Sequence, residues 1–199
     1  MEWSKRTDED LIRESRSGNH DAFREIVRRY EDRVAAIVIG MIGSGPDAED
    51  VGQEVFVRFY KHLNQFRGEA KLATYLTRIA INLSLNALKR RKRNRFIFWD
   101  QYVESEISNH SIGSHDSYDE EKEIVQKAIL RLAPSFRSIV VLRIIEGYST
   151  REAAKMLGIP EGTVLSRLAR AQKKLKELLT PYFGVSHERE NLQSAASLS

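Results

Sequence analysis

Three carboxylates between residues 46 and 63 have the spacing of a shared binding surface. This stretch is P-D-A-E-D-V-G-Q-E-V-F-V-R-F-Y-K-H-L, and Asp47, Asp50 and Glu54 follow one another at helical spacing. On a helix that advances about 100° per residue they fall within about 60° of one another, with Gln53 beside them. Such a row serves as a solvated face, which is the default, as a docking stripe for a basic partner, or as a Mg²⁺ site. Magnesium is the least favoured, because no phosphate-binding loop or second acidic cluster lies nearby.

A second candidate surface combines an aromatic ring, amides and cations along a predicted helix from Lys71 to about Arg95. The polar side chains that recur along it are Tyr75, Arg78, Asn82, Asn86, Lys89 and Arg93. Its inner stripe is predicted to be Leu72, Leu76, Ile79 and Leu83. From Lys89 onward, six of the last seven residues are basic. This set can stack a splayed base, hydrogen-bond its edge and hold phosphates. Tyr75 can equally be an aromatic residue at the edge of the core, and the basic run can serve only solubility.

A third candidate surface lies between Ile144 and Leu179, where the sequence has the pattern of a helix-turn-helix. Ser149 and Glu152 form a capping box for a first helix, and Gly158 is placed to end it with positive φ. The second helix has an apolar stripe made of Val164, Leu168, Ala171, Leu175 and Leu178. Its remaining faces carry Thr163, Ser166, Arg167, Arg170, Lys173 and Lys174. Arginine is suited to guanine edges and phosphates in the major groove, but two amphipathic helices also occur in ordinary helical bundles.

The charge of the chain is divided into blocks. The 199 residues include 32 Lys and Arg against 28 Asp and Glu, a net charge of +4. The net charge is +5 over residues 1–95, −7 over 96–123, +7 over 124–183 and −1 over 184–199. Two basic blocks joined by an acidic connector indicate two modules that bind a polyanion, with a solvated tether between them.

The elements that position these surfaces are all predicted to be helices. Thr7 begins a short helix, and a long helix follows from Asp21 to a break at 43–46, where Pro46 is suited to the first position of the next helix. We predict an all-α chain of two small helical domains joined by a flexible acidic linker, the second domain being the helix-turn-helix. The predicted boundaries are 1–95 for the first domain, 96–116 for the linker, 117–183 for the second domain and 184–199 for a disordered tail. Phe96, Phe98 and Trp99 are too apolar for a fully solvated linker, so we expect them to pack on a domain or a partner.

Composition excludes several classes of function. There is no cysteine, which excludes disulfides and thiolate metal sites, and the five histidines show no ligand spacing. No run of 18 apolar residues and no apolar signal core near the N-terminus is present. We therefore expect a cytoplasmic protein that uses no cofactor or metal, does not insert into a membrane and performs no covalent chemistry.

Taken together, these residues resemble the extracytoplasmic-function (ECF) group of bacterial RNA polymerase sigma factors. The similarity extends from about Asp21 to Leu179. It is strongest in D-A-E-D-V-G-Q-E-V-F at 47–56, T-Y-L-T-R-I-A-I-N at 74–82 and G-I-P-E-G-T-V-L-S-R-L-A-R-A at 158–171. The resemblance implies a protein that binds core RNA polymerase, recognises the minus-thirty-five and minus-ten promoter elements and opens DNA for initiation. The alternative is a stand-alone dimeric helix-turn-helix regulator, which has no use for the acidic stripe.

The resemblance also implies roles for individual residues. Core polymerase would be bound by Asp47, Glu49, Asp50, Gln53 and Glu54. The minus-ten element would be bound by Phe66, Arg67, Tyr75, Arg78, Asn82, Lys89, Arg90 and Arg93. The minus-thirty-five element would be bound by Thr163, Ser166, Arg167, Arg170, Lys173 and Lys174. Members of the group are commonly held inactive by an anti-sigma factor, often a membrane-bound one, so an anti-sigma factor is an expected partner.

Three positions depart from the pattern of the group. Residue 75 is Tyr where Trp is usual, Asn86 stands where Asp is common, and Leu165 replaces a frequent Lys. A smaller ring at 75 still stacks but with less contact area, whereas Leu165 removes one positive charge from the second helix of the motif.

Overall fold

The computed structural model describes the backbone of residues 3–98 and 117–196, and the side chains of residues 3–94 and 120–183. The chain divides into two compact units, Met1–Phe98 and Trp99–Ser199. In the described part of both units the regular structure is helical, without strands. Residues 99–116 of the predicted acidic linker, which include Trp99, lie outside the described residues. The side chains of Phe96 and Phe98 lie outside them as well.

The first unit contains four α-helices: α1 (Asp8–Arg16), α2 (His20–Ile42), α3 (Pro46–Lys61) and α4 (Leu72–Phe98). Short 3-10 turns cover Trp3–Lys5 and Leu63–Gln65. The caps are local, as the sequence predicts: the Thr7 side chain accepts the N–H of Asp10 at 3.2 Å, and α2 ends at Gly43 with φ of 85°. Pro46 takes the first position of α3, where its missing N–H costs nothing.

The core of the first unit forms where α1, α3 and α4 pack against α2. Its largest fully buried side chains include Leu11, Ile26, Ile37, Met41, Val55, Phe59, Leu76 and Ile81. The buried face of α4 differs from the predicted inner stripe, because Ala80 and Ile81 are buried while Ile79 and Leu83 are only half-buried. Helix α4 contacts both α2 and α3, so its buried face is wider than a single stripe.

Helix α2 carries an ionic network on its surface. Glu25 is almost buried, at 8% exposure, and accepts hydrogen bonds from Arg28 at 2.8 and 2.7 Å. These hydrogen bonds, with the positive charges of Arg28 and Arg29, hold the pKa of the Glu25 carboxyl below its usual range. The side chain therefore remains ionised in the folded protein at neutral pH.

The second unit contains α5 (Ser117–Leu130), α6 (Pro134–Val140), a π-helical turn (Val141–Ile145), α7 (Thr150–Leu157) and α8 (Glu161–Ala196). A hydrophobic cluster of Ile129, Leu132, Val140 and Ala171 joins α5, α6 and α8, with Phe136 and Leu175 packed against it. The buried Arg137 guanidinium donates to the carbonyl oxygens of Leu130 and, at 2.9 Å, of Leu132. These oxygens lie at the end of α5, where helix carbonyls lack intrahelical partners.

Helical backbone extends beyond two of the predicted boundaries. Helix α4 continues three residues past Arg95, to Phe98, and α8 continues to Ala196. Residues 184–196, which fall in the predicted tail, thus have helical backbone in this structure. After Gly184 this segment is rich in Glu, Arg, Leu, Gln and Ala, which are strong helix formers, and contains no proline. No helix in the described part of the chain has the length and apolar character needed to cross a membrane.

Candidate functional site

The acidic stripe is a solvent-facing surface of α3. Buried Ala48, Val51, Val55 and Phe59 fix the opposite face of the helix in the core. The five side chains assigned to polymerase binding are all exposed: Asp47, Glu49, Asp50, Gln53 and Glu54. The structure therefore brings the predicted set together on one helix, with Glu49 and Gln53 on the flank that faces α2.

An apolar groove of about 360 Å³ runs between α2 and α3 beside this stripe. Its apolar lining comes from Val27, Val34, Ala35, Ile39, Ala48 and Phe56. Glu31, Glu49 and Gln53 add polar groups to the same groove. Sequence reasoning missed the groove, because only the packing of α2 on α3 leaves these apolar side chains open on one side. The acidic stripe is thus one edge of a mixed surface that has both carboxylates and an apolar cleft.

Asp47 already has a partner within the protein. Arg91 of α4 donates to its Oδ2 from Nε at 2.8 Å and approaches it with Nη2 at 2.7 Å. The third nitrogen of Arg91, Nη1, donates to the carbonyl oxygen of Ile42 at 3.2 Å. Arg91 therefore joins the end of α2, the start of α3 and the basic run of α4. A pairing across 44 positions has no signature in the local sequence.

Two aromatic rings, those of Phe59 and Phe66, support Tyr75 at the start of α4. The Phe66 ring is 8% exposed and lies 5.0 Å from the Tyr75 ring, centroid to centroid, at an interplanar angle of 67°. The Phe59 ring contacts both, at 6.0 Å from Phe66 and 5.9 Å from Tyr75. Edge-to-face packing of this kind fixes ring orientation. Tyr75 stays half-buried, whereas Phe66 lies in the core and supports its neighbour.

The polar face of α4 extends from Tyr75 along the helix. Arg78, Asn82, Asn86, Lys89, Arg90 and Arg93 are all exposed. At about 100° per residue, all of them except Arg90 fall within about 80° of one another, and Arg90 lies at the edge of the row. Arg67 is also exposed, in the turn before α4, where Gly68 has φ of 73°. The predicted minus-ten residues of α4 thus lie along one side of that helix, whereas Phe66 is buried and Arg67 is exposed in the preceding turn.

The helix-turn-helix has the local geometry that the sequence predicts. Ser149 Oγ accepts the N–H of Glu152 at 3.2 Å, and Glu152 Oε2 accepts the N–H of Ser149 at 2.8 Å, which completes the capping box. Gly158 ends α7 in the left-handed conformation with φ of 64°. Val164 and Ala171 are fully buried, so they fix the inner face of α8.

The outer face of α8 carries the six residues assigned to the minus-thirty-five element. Ser166, Arg170, Lys173 and Lys174 are exposed, while Thr163 and Arg167 are half-buried. Lys174 forms an exposed ion pair with Glu177 at 3.1 Å. Leu165 is an exposed apolar side chain of the same helix, at 55% exposure. Within the described residues, no three His, Asp or Glu side chains are grouped so that they could hold a metal ion.

Comparison with known proteins decides the family. Residues 26–94 match the family model of Sigma-70 region 2, and residues 122–175 match that of Sigma-70, region 4. The chain is 31% identical over 182 residues to the ECF RNA polymerase sigma factor SigW of Bacillus subtilis, covering 84% of this chain and 94% of that protein. The chain belongs to the ECF family of RNA polymerase sigma factors. It is also 32% identical over 183 residues to the ECF RNA polymerase sigma-E factor of Escherichia coli strain K12, covering 88% of this chain and 95% of that protein.

Two solved structures share the fold of this ECF sigma factor. One is the sigma factor RpoE in complex with the anti-sigma factor NepR from Bartonella quintana, with a TM-score of 0.63, 26% identity and coverage of 79% and 96% of the two chains. The other is CnrH in complex with the cytosolic domain of CnrY, with a TM-score of 0.62, 26% identity and coverage of 88% and 98%. The predicted all-α class and the predicted family are both confirmed. As a sigma factor, the chain binds RNA polymerase and recognises promoters, and sigma factors as a class are non-enzymatic initiation factors. The alternative of a stand-alone dimeric regulator is not favoured.

Proposed function

We propose that three surfaces of this sigma factor divide the work of initiation. The α3 stripe, with the groove beside it, binds core RNA polymerase. The polar face of α4 captures and opens the minus-ten element, and the outer face of α8 binds the minus-thirty-five element. The observation that carries this assignment is Tyr75, a half-buried ring supported edge-on by two others at the start of a solvent-facing row of amides and cations.

Strand opening in this proposal draws its free energy from binding. An extruded base loses its stacking in the duplex and regains contact with Tyr75, while Asn82 lies exposed on the same face to hydrogen-bond its edge. Stacking of a base on an aromatic side chain contributes about 1–3 kcal/mol. Lys89, Arg90 and Arg93 lie farther along the helix and bind the phosphates of the opened strand.

In this proposal Phe66 has a different role from the minus-ten contact that the family resemblance implies for it. Its ring is buried against Phe59 and Tyr75, so it supports the base-binding ring and makes no stacking contact of its own. Arg67, the next residue, is exposed and supplies the contact that this turn makes with DNA.

Polymerase binding in this proposal uses both charge and apolar contact. Exposed Asp50 and Glu54 attract a basic partner surface, and the groove between α2 and α3 accepts an apolar side chain from it. Asp47 contributes mainly by fixing the start of α3 through Arg91.

The family also supports a proposal about the compartment and the partners of this sigma factor. We propose that this sigma factor acts in the cytoplasm with core polymerase, performs no covalent chemistry itself, and is held inactive by an anti-sigma factor. The two similar structures are both complexes, one with an anti-sigma factor and one with the cytosolic domain of CnrY, which supports a partner of this kind. We also propose 1–95 and 117–183 as the two functional domains, with 96–116 as the linker.

Promoter opening by holoenzyme tests the assignment of Tyr75. Tyr75→Ala removes the stacking ring, so we expect opening to fall by roughly 5- to 150-fold, the equivalent of about 1–3 kcal/mol. Tyr75→Phe keeps the ring and should open DNA like the wild type. The fluorescence of 2-aminopurine placed in the minus-ten element reports opening. If Tyr75→Ala opens the promoter at the wild-type rate with unchanged polymerase binding, the assignment is wrong.

Binding to promoter variants tests the assignment of α8. Arg170→Ala should cost roughly 1–3 kcal/mol of affinity and relax the preference at one minus-thirty-five position. Lys127→Ala is the matched control, because Lys127 is an exposed cation of the same unit that pairs with Glu123 at 2.8 Å and lies on α5. Unchanged promoter preference in Arg170→Ala would remove this side chain from the DNA-binding surface.

A further inference from the structure

Arg16, at the end of α1, binds the segment that precedes α4. Its Nε donates to the carbonyl oxygen of Leu63 at 3.1 Å. Its Nη2 donates to the carbonyl oxygen of Phe66. These two acceptors lie 47 and 50 positions away in sequence, so Arg16 connects the first helix of the chain to the turn between α3 and α4.

The chemistry of this contact suits arginine. Helix α3 ends at Lys61 and passes into the 3-10 turn Leu63–Gln65, where the last carbonyls of the helical segment have few donors available. A cation at the end of a helical segment is favoured by the partial negative charge there. The planar guanidinium presents several N–H groups in a fixed fork, so it restrains two carbonyls together, which an ammonium group does less well.

The same short segment carries the support of the base-binding ring. The carbonyl of Phe66 is held by Arg16 on one side, and its ring packs at 5.0 Å from Tyr75 on the other. Arg67 follows directly and is exposed, before Gly68 turns the chain with φ of 73°. A shift of the Phe66 backbone therefore displaces both the ring beneath Tyr75 and the guanidinium of Arg67.

We propose that Arg16 is a positioning residue for recognition of the minus-ten element. It makes no contact with DNA; it holds residues 63–67 so that Phe66 supports Tyr75 and Arg67 faces the opened strand. The inference rests on the proposed function of Tyr75 and Arg67, and it adds α1 to the elements that determine promoter opening.

The test uses complete holoenzyme with three variants of the sigma factor. Arg16→Ala removes both hydrogen bonds, and Arg16→Lys keeps the charge but can restrain fewer carbonyls. Arg13→Ala is the matched control, because Arg13 lies on the same helix, is 65% exposed and pairs with Asp10 at 2.6 Å, away from the turn. Opening is measured by 2-aminopurine fluorescence on promoters that each carry one base change in the minus-ten element. Thermal denaturation of each free variant is measured in parallel.

We expect Arg16→Ala to open the preferred promoter roughly tenfold more slowly and to discriminate less between bases at one minus-ten position. Arg16→Lys should recover part of the discrimination, and Arg13→Ala should behave as the wild type. The ratio of the opening rates on two promoters does not depend on the fraction of the variant that is folded. A purely structural role therefore lowers the melting temperature and slows all promoters by one factor, and that result overturns the proposal.

Tyr75→Ala in the same assay separates this inference from the proposed function. If Tyr75→Ala loses opening while Arg16→Ala keeps wild-type discrimination, Arg16 is not a positioning residue and the function of Tyr75 stands. If Tyr75→Ala opens DNA normally, the proposed function fails at that ring and the role of Arg16 fails with it.

Discussion

Arg91 lies in the basic run of α4 but should behave differently from its neighbours when it is replaced. The Arg91 side chain is 43% exposed, and its guanidinium is turned toward the Asp47 carboxylate and the Ile42 carbonyl. An exposed ion pair contributes about 0–1 kcal/mol, and the geometry of Arg91, with two nitrogens on one carboxylate oxygen, belongs near the upper end. We expect Arg91→Ala to destabilise the first unit by about 1 kcal/mol, which lowers the melting temperature of a domain of this size by about 4–8 °C.

The effect on DNA binding should be small by comparison. Each phosphate contact with a single strand contributes about 0.7 to the slope of log affinity against log salt concentration. Because Arg91 is engaged by Asp47, Arg91→Ala should leave this slope unchanged, whereas Arg90→Ala should reduce it by about 0.7. Promoter binding by holoenzyme between about 50 and 200 mM salt, with thermal denaturation of the free sigma factor, measures both quantities.

A double-mutant cycle identifies the partner. Asp47→Asn removes the same ion pair, so it should lower the stability of the free protein by about the amount that Arg91→Ala loses through that pair. The double variant should be little less stable than Arg91→Ala alone. The reasoning is refuted if Arg91→Ala keeps full stability and reduces the salt slope as much as Arg90→Ala does. Arg91 would then bind phosphate, and its contact with Asp47 would be incidental.

Four further substitutions test the packing and electrostatics of the two units. Gly158→Ala should cost about 1–2 kcal/mol of unfolding free energy because of backbone strain at φ of 64°, since no described atom beyond its two chain neighbours lies within 4 Å of an added Cβ. Gly162→Ala also meets nothing within 4 Å and has ordinary φ, so by chemical denaturation it should be neutral or stabilising. Ser84→Ala should raise the melting temperature slightly, because the buried Ser84 Oγ has no hydrogen-bond partner among the described residues. The hydrogen bonds from Arg28 lower the pKa of the Glu25 carboxyl, so the unfolded chain binds more protons than the folded protein. Glu25 therefore stabilises the fold at pH values above its unfolded pKa, and this contribution is lost as the pH falls through its folded pKa. Glu25→Gln should make the free energy of unfolding fall less steeply at acidic pH, as measured by urea denaturation at a series of pH values.

The features that sequence predicted correctly are local ones. Helix starts at Thr7 and Ser149 depend on a side chain and an amide three residues away, and both caps are present. The end of α7 depends on the conformation of one residue, Gly158. The polar face of α4 and the outer face of α8 follow from helical periodicity alone, so their members lie together as predicted.

The features that sequence missed depend on contacts between distant residues. The burial of Phe66 beneath Tyr75, the Asp47–Arg91 pair and the two hydrogen bonds of Arg16 all require the packing of separate helices. The buried face of α4 was predicted as one stripe, but α4 contacts two helices and therefore also buries Ala80 and Ile81.

Transcription in vitro by core RNA polymerase, with and without this sigma factor, tests the central claim most directly. On templates that carry a promoter selected by the reconstituted holoenzyme, we expect a defined start site only when the sigma factor is present. Asp50→Ala with Glu54→Ala should reduce that transcript by weakening association with core enzyme, while the double variant keeps its fold because both side chains are exposed. If the purified protein does not bind core enzyme, or leaves the choice of start site unchanged, the account is contradicted.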